Sequence, residues 1–279
     1  MATARQACRK GLGVGMRGHS TRTLVLALVL SMSLVAVAGA RETTSRVGNL
    51  LFTFGGALSP KKMPNDEYVP VTASVFGSVK TADGTHPSAL REITVGVDRD
   101  VKVNVKGYPT CKGGSRDIRD PEAALKACPD TVLGNGIAHV EIAFPEQKPI
   151  VVTSPLTVFN GGEKGGKVTL FIHVFITVPA PAAIVTTVTI SRKGSGLHTV
   201  SKIPVIAGGR GSLIGFKFKL GKTYAYKGSE VGHLEAKCQD GDFEVNVNKA
   251  LFKNEANTPG VAPTTSLKGG LVVPCTPKD

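Results

Sequence analysis

Hydrophobic residues alternate with polar residues through much of this 279-residue chain, and that alternation constrains the fold more than any other feature. In the hexapeptide GFKFKL, Phe216, Phe218 and Leu220 fall on one side of an extended backbone. Lys217 and Lys219 fall on the opposite side. A period of two places successive side chains on opposite faces of a β-strand. The pattern therefore predicts strands with one face in the core and the other face in water.

The same alternation recurs elsewhere, and turn residues separate the alternating runs. Runs of this kind occupy residues 69–77, 93–97 and 101–105. Turn sequences rich in Gly, Asn and Asp lie between such runs, at residues 82–84, 135–136, 160–162, 208–211 and 240–242. Many short strands with frequent turns are typical of antiparallel all-β domains. The sequence predicts an antiparallel β-sandwich, immunoglobulin-like or jelly-roll-like.

One short helix is also predicted, between residues 120 and 128. Asp120 can cap its N-terminus, and Pro121 suits the first helical position. The sequence EAALKA follows, and Pro129 disfavours the helical conformation of Cys128. The helix is therefore expected to end there.

The first 40 residues have the pattern of a secretory signal peptide. Five basic residues and no acidic residue precede an uncharged run over residues 24–40. Small residues at Ala38 and Ala40 suit signal peptidase, so cleavage is predicted after Ala40. The mature protein is therefore expected to be secreted out of the cytoplasm. The alternative is an uncleaved N-terminal anchor, because the run is close to the length of a short membrane-spanning helix.

After the leader, the sequence divides into an extended lead-in and a folded domain. Residues 41–68 are mixed in composition and carry several turn residues, so we interpret them as the lead-in. Residues 69–279 form the predicted β-sandwich domain. Two smaller sandwiches that divide near residues 179–182 are the alternative, since each half contains one pair of cysteines.

The stretch 168–190 contains no Lys, Arg, Asp or Glu and is long enough to suggest a membrane helix. Val, Ile and Thr dominate it, however, and Pro179 and Pro181 lie in its middle. These residues favour two strands joined by a proline-containing turn. We therefore predict no integral membrane span in the mature chain.

Four cysteines remain after the leader, and an even number in an exported chain predicts two disulfides. We expect the sequence-local pairing, in which each bond closes its own loop: Cys111 with Cys128, and Cys238 with Cys275. No Cys-x-x-Cys or Cys/His cluster points to a metal site instead.

The chain is basic, with a formal net charge of +13, and five of its 34 Lys and Arg residues lie in the leader. A basic surface favours acidic partners such as an anionic polymer of the cell envelope. The lysines are spread along the chain, so a nucleic-acid partner is not predicted. The nearest approach to a binding stripe is a lysine–tyrosine face made of five residues: Lys217, Lys219, Lys222, Tyr224 and Tyr226.

Catalytic, cofactor and metal sites are not predicted. The chain lacks the Gly-x-Ser-x-Gly and His-Glu-x-x-His motifs, and the mature histidines are scattered singly. A Ser–His–acid triad assembled from separate strands stays open as an alternative.

Several short patterns resemble those of uncharacterised exported proteins of high-GC Gram-positive, actinobacterial type. They are PSALREITV at 87–95, GYPTC at 107–111, ACPDTVLG at 127–134, PLTVFNG at 155–161 and AKCQDG at 236–241. The resemblance implies a signal peptide, a β-sandwich-like fold and paired cysteines, and it brings no known activity.

These observations lead to one functional hypothesis and two alternatives. The hypothesis is a secreted, non-enzymatic β-sandwich that is associated with the cell envelope as a binding or structural module. The alternatives are a secreted hydrolase of an envelope polymer and an adhesin-like module. An enzyme should show convergent acids or a His–acid pair in a concave site at strand ends.

Overall fold

Antiparallel strands make up most of the computed structural model, which describes residues 41–112, 120–257 and 262–278. The predicted signal peptide lies outside the described residues. The strands are β1 (Arg41–Val47), β2 (Leu50–Ser59), β3 (Lys62–Pro64), β4 (Val69–Pro70), β5 (Thr72–Thr81), β6 (Ala89–Val97), β7 (Val101–Val103), β8 (Val132–Ile142), β9 (Ile150–Lys164), β10 (Lys167–Ile176), β11 (Ala182–Lys193), β12 (Gly196–Lys202), β13 (Gly211–Leu220), β14 (Thr223–Tyr226), β15 (Ser229–Gly232), β16 (Leu234–Ala236), β17 (Asp242–Lys253), β18 (Thr264–Pro274) and β19 (Thr276–Lys278).

Twelve of these strands form one large sheet in the order β1-β2-β5-β13-β8-β9-β10-β11-β12-β6-β17-β18. All its neighbouring strands are antiparallel. The two edge strands β1 and β18 come together, and the Ser45 hydroxyl donates to the Lys268 carbonyl oxygen at 2.7 Å. The sheet is therefore nearly closed and barrel-like. The antiparallel all-β prediction is confirmed, whereas the sandwich arrangement is not.

Closure of the sheet follows from the amphipathic strands. Most strands of the large sheet have one apolar face, and curling the sheet covers these faces against one another without a second large sheet. The edge strand β1 is the exception, because it is polar and largely exposed. Bulges interrupt the register between β8 and β13, between β6 and β17, and between β17 and β18. A bulge bends its strand and increases the local twist, so these positions help the sheet to curve.

Three smaller sheets accompany the large one. The order β4-β16-β7 makes a three-stranded sheet, β14 pairs with β15, and β19 pairs in parallel with β3. Since β4 immediately precedes β5 and β7 closely follows β6, the three-stranded sheet lies where β5 begins and β6 ends.

Residues 41–68, which the sequence led us to interpret as an extended lead-in, include two strands of the large sheet. Residues 41–47 and 50–59 are β1 and β2 of the large sheet. Alternate residues Leu50, Phe52 and Phe54 are all buried. Their side chains join the core because period-two alternation already begins in this segment, before Val69.

The uncharged stretch 168–190 forms two paired strands, as predicted. It spans β10 and most of β11, which are antiparallel neighbours with Val168 opposite Ile190. Both strands belong to the large sheet, so the sheet continues across residues 179–182. Among the described residues, no helix is long and apolar enough to cross a membrane.

The single described α-helix and both disulfides also follow the sequence. Helix α1 (Pro121–Ala127) begins after Asp120, whose carboxylate accepts a hydrogen bond from the Ala123 amide at 2.8 Å. The disulfides join Cys111 to Cys128 and Cys238 to Cys275, which is the predicted sequence-local pairing. The first bond lies beside the buried Phe159, so it holds the C-terminal end of α1 near β9.

Candidate ligand-binding site

Alternation along the strands of the large sheet creates an apolar interior. On β13, Phe216, Phe218 and Leu220 face inward and pack against the main core, while Lys217 and Lys219 are exposed. This separation is the one that GFKFKL predicts. Neighbouring strands continue the same wall because residues opposite each other in the register share a face.

A cavity of about 280 Å³ lies in this interior. Its lining comes mainly from inward-facing Val, Leu, Ile and Phe residues of the large sheet. Ile172, Phe216 and Phe218 face inward but are only partly buried, because they border the cavity. Voids much larger than a water molecule are rare in protein interiors. A space of this size is therefore a candidate site for a ligand.

Segments outside the large sheet line both ends of the cavity. Val101 and Val103 of β7, with Leu234 of β16, contribute at the end where the three-stranded sheet lies. Ile203 and Ile206 contribute from the segment that links β12 to β13. Both isoleucines are buried although they lie outside regular strands of the large sheet.

The cavity wall is electrically neutral. No Asp, Glu, Lys, Arg or His is among the described residues that line it. Thr186, Thr199 and Ser201 provide hydroxyl groups on β11 and β12. Such a wall accommodates apolar groups and a neutral polar group, whereas an unpaired ionised group would be costly to bury there.

A second cavity of about 390 Å³ lies at the seam between β1 and β18. Its lining is more polar and includes Arg41, Glu42 and Asp242. Leu271 lines both this seam cavity and the interior cavity. Leu271 therefore separates the seam cavity from the interior cavity.

Four of the five residues of the predicted lysine–tyrosine face lie on two different sheets, and the fifth lies between them in the chain. Lys217 and Lys219 project from β13 of the large sheet, and Lys222 is exposed just before β14. Tyr224 and Tyr226 lie on β14, in the small sheet with β15. The lysines and tyrosines therefore do not share one strand face. The hypothesis that they bind a polymer stays a prediction.

Contacts within the protein hold both tyrosines. The Tyr224 ring lies 4.9 Å from the Tyr108 ring, and its hydroxyl donates to the Lys106 carbonyl oxygen at 3.0 Å. Burial raises the pKa of Tyr224 above its ordinary value. The Tyr226 ring lies against Gly107, where any side chain would collide with it. Much of the aromatic surface is thus used for packing.

A Ser–His–acid group lies on the outer face of the large sheet, and we call His86, Glu141 and Ser212 the outer cluster. His86 Nδ1 lies 2.6 Å from Glu141 Oε1, and His86 Nε2 lies 3.1 Å from Ser212 Oγ. The strands bring Glu141 and Ser212 together, because Glu141 of β8 is opposite Ser212 of β13 in the register. His86 reaches them from the segment between β5 and β6.

The histidine and serine of the outer cluster are buried, the Glu141 side chain is 19% exposed, and the cluster's hydrogen bonds are made within the protein. Ser212 is only 1% exposed, and the His86 side chain is 7% exposed. The Ser212 hydroxyl also donates to the Pro87 carbonyl oxygen at 2.7 Å. The single proton of the Ser212 hydroxyl is therefore donated to the backbone and not to His86. The cluster thus has the members of a catalytic triad without an accessible nucleophile.

Sequence patterns offered little signal for the outer cluster. Its members lie in a turn and on two separate strands, with no local motif around them. Neither Glu141 nor Ser212 lies in one of the alternating runs, so the sequence specified neither their strands nor their register. The inward-facing apolar residues were easier to anticipate, because they repeat the period-two alternation, although the cavity that they enclose was not predicted.

One further buried titratable group belongs neither to the cavity lining nor to the outer cluster. His233 is fully buried, and its Nδ1 donates to the Asn104 carbonyl oxygen at 3.1 Å. Burial lowers the pKa of His233 to about 4 from an ordinary value of 6.5. Its Nε2 has no hydrogen-bond partner among the described residues. His233 is therefore neutral in the folded protein near pH 7.

No group of three or more His, Cys, Asp and Glu side chains in the described parts of the chain could hold a metal ion. Comparison with protein-family models, with curated proteins and with solved structures finds no match. The cavity and its lining are therefore the observations from which a function can be argued.

Proposed function

We propose that this protein functions outside the cytoplasm as a non-enzymatic binding protein that holds an apolar ligand inside its barrel-like sheet. The cavity of about 280 Å³ carries the proposal. An apolar protein cavity of about 150 Å³ is large enough to bind benzene. The cavity here is nearly twice that volume, so it suits a medium-length hydrocarbon chain.

The energetics of an empty cavity also favour a ligand. Residual cavity volume costs roughly 24 cal/mol per Å³ in large-to-small core substitutions. An empty space of this size would thus cost on the order of several kcal/mol, a large part of the stability of an ordinary domain. A bound apolar chain restores the missing contacts and is removed from water at the same time.

The extracytoplasmic location rests on two further observations. The two disulfides fit an oxidising compartment, and the leader has the order of charged, apolar and small residues that the export machinery recognises. The basic surface and the lysine–tyrosine face extend the proposal to contact with an anionic polymer of the envelope. In this proposal, the envelope contact and the internal cavity use opposite faces of the sheet.

A binding assay with a cavity-filling variant tests the proposal. The probe is N-phenyl-1-naphthylamine, a neutral dye whose fluorescence rises in apolar surroundings, and 1-decanol is the competitor. We expect saturable binding to the full chain with its disulfides oxidised. Ile172→Trp places a larger side chain in the cavity, so we expect at least a 10-fold loss of affinity. Val151→Trp is the matched control, because Val151 is 55% exposed on the outer face.

Two results would overturn the proposal. One is the absence of saturable binding to the folded wild-type protein. The other is equal affinity of the probe for the wild type, Ile172→Trp and Val151→Trp. If Ile172→Trp fails to fold, Ala73→Leu provides a smaller filling change at another half-buried position in the lining.

A secreted hydrolase is the second candidate, and the outer cluster is the observation that favours it. The His86–Glu141 pair lies near the end of β8, as expected for an enzyme, but it is covered and lies on the opposite face from the cavity. Covalent labelling of Ser212 by a fluorophosphonate would favour the hydrolase. Absence of labelling in the folded protein favours the binding protein.

A further inference from the structure

Three hydroxyl groups form a polar patch on the otherwise apolar wall of the interior cavity, and we call Thr186, Thr199 and Ser201 the wall hydroxyls. Thr199 and Ser201 are two residues apart on β12, so both face inward. Ser201 lies opposite Val188 of β11 in the register. Thr186 lies two residues from Val188 on the same strand, which makes it the diagonal neighbour of Ser201.

Two of the wall hydroxyls have no hydrogen-bond partner among the described residues. The Thr199 hydroxyl donates to the Val95 carbonyl oxygen at 3.3 Å. In the described part of the chain, the hydroxyls of Thr186 and Ser201 form no hydrogen bond. Both residues are half-buried and line the cavity, so their hydroxyls are available to a bound molecule.

An unpaired hydroxyl on an apolar wall weakens the folded state unless something bonds to it. A polar group removed from water without a partner costs about 1–3 kcal/mol in protein mutational data. Val or Ala would line the same wall without that cost. The hydroxyls therefore suit a ligand that brings its own hydrogen-bonding group into the cavity.

The charge of that group follows from the rest of the lining. No charged side chain is present among the described lining residues to neutralise a carboxylate, a phosphate or an amine. An ionised group would have to be buried unpaired, which costs far more than a neutral polar group. Hydroxyls both donate and accept hydrogen bonds, so they match an alcohol or an ester oxygen equally well.

We propose that the cavity binds a single-chain lipid with a neutral oxygen-bearing end, an alcohol or an ester, and that Ser201 and Thr186 bind this end. This inference rests on the proposed function, since it requires an occupied cavity. The hydrocarbon chain extends along the apolar remainder of the wall. Ser201 and Thr186 then determine which lipids are selected, whereas the apolar lining provides most of the affinity.

Competition for N-phenyl-1-naphthylamine with three ligands of equal chain length tests this selectivity. The ligands are decane, 1-decanol and decanoate at pH 8, and methyl decanoate distinguishes an ester from an alcohol. We expect the double variant Ser201→Ala/Thr186→Val to bind 1-decanol at least 5-fold more weakly, because two hydrogen bonds of ordinary strength are lost. Decane affinity should remain within 2-fold, and decanoate should bind the wild type at least 10-fold more weakly than 1-decanol.

The matched control is Thr189→Val, which removes a hydroxyl from the opposite face of β11 and should leave all affinities unchanged. An equal loss of decane and 1-decanol affinity in the double variant, or no loss of either, would overturn the role of Ser201 and Thr186. Tighter binding of decanoate than of 1-decanol would overturn the neutral end group. If the probe and all ligands fail to bind the wild type, the proposed function itself is overturned.

Discussion

The wall hydroxyls and the outer cluster are two polar groups on opposite faces of the same sheet, and their hydrogen bonding differs. His86, Glu141 and Ser212 bond to one another and to a backbone carbonyl beneath a covering segment. Thr186 and Ser201 face an internal space, and their hydroxyls have no hydrogen-bond partner among the described residues. The first group includes the residue types of a catalytic triad, while the second consists of residue types that are common on any strand.

Residue type alone is therefore a poor guide to a binding site in this protein. A polar group whose bonds are all made within the protein has no unused hydrogen-bonding capacity for a ligand, and it stabilises the fold instead. A hydroxyl left unpaired beside a cavity retains that capacity. The outer cluster is therefore expected to affect stability, and the wall hydroxyls to affect ligand selection.

The largest effect should come from placing a charge on the inner face of a strand. Val158 is 1% exposed on the inner face of β9, whereas Val151 is 55% exposed on the outer face. Val158→Lys buries an unpaired ammonium group, so we expect a loss of more than about 4 kcal/mol in the free energy of unfolding. Val151→Lys should change it by less than about 0.5 kcal/mol. Urea titration monitored by circular dichroism measures both.

Near-equal stability of these two lysine variants would contradict the inference that the inner face of β9 is dry and the outer face is in water. It would mean that the interior is hydrated, because only water could solvate the ammonium group of Val158→Lys.

A smaller effect is expected from breaking the outer cluster. Glu141→Ala removes the acceptor for the nearly buried His86, so we expect a loss of about 2–3 kcal/mol in the free energy of unfolding. Affinity for 1-decanol should not change, because the cluster lies on the opposite face from the cavity. Glu92→Ala is the matched control: Glu92 pairs with the more exposed Lys249 at 3.1 Å, and its removal should cost less than about 1 kcal/mol.

Equal losses of stability in Glu141→Ala and Glu92→Ala would show that the outer cluster does not stabilise the fold. A loss of ligand affinity in Glu141→Ala would show that the two faces are not independent.

Much of the strand content could be predicted from the sequence, because period-two alternation is local. GFKFKL alone separates inner Phe216 and Phe218 from outer Lys217 and Lys219. Closure of the sheet was not predicted, since it depends on the pairing order of distant strands and on the meeting of β1 with β18. The inclusion of residues 41–59 was missed for the same reason, because Leu50 and Phe52 become core residues only when β2 pairs with β5.

Neither the cavity nor its wall hydroxyls could be predicted from sequence patterns. A volume inside a sheet depends on curvature and on the packing of side chains from many strands at once. Thr186 and Ser201 look like ordinary strand residues, and only the register of β11 with β12 brings them together.

The smallest expected change in stability concerns His233. The wall hydroxyls combine an unpaired polar atom with a position in the cavity lining, whereas His233 has only the unpaired polar atom. Its Nε2 is buried without a partner among the described residues, yet His233 is not part of the cavity lining. Its pKa is lowered to about 4 in the folded protein, so between pH 6.5 and 4 the unfolded chain binds a proton that the folded chain does not. Stability should therefore fall as the pH falls through this range, by about 1 kcal/mol at pH 5.5.

Unfolding by urea at pH 7.5 and pH 5.5 tests this, with His233→Asn as the matched variant. Asparagine keeps a donor for the Asn104 carbonyl oxygen and does not titrate, so the variant should lose about 1 kcal/mol less than the wild type between the two pH values. Its affinity for 1-decanol should be unchanged. An equal pH dependence in both proteins would show that His233 takes up its proton without unfolding. A change in ligand affinity would show instead that a buried, unpaired polar atom influences binding even when it does not line the cavity.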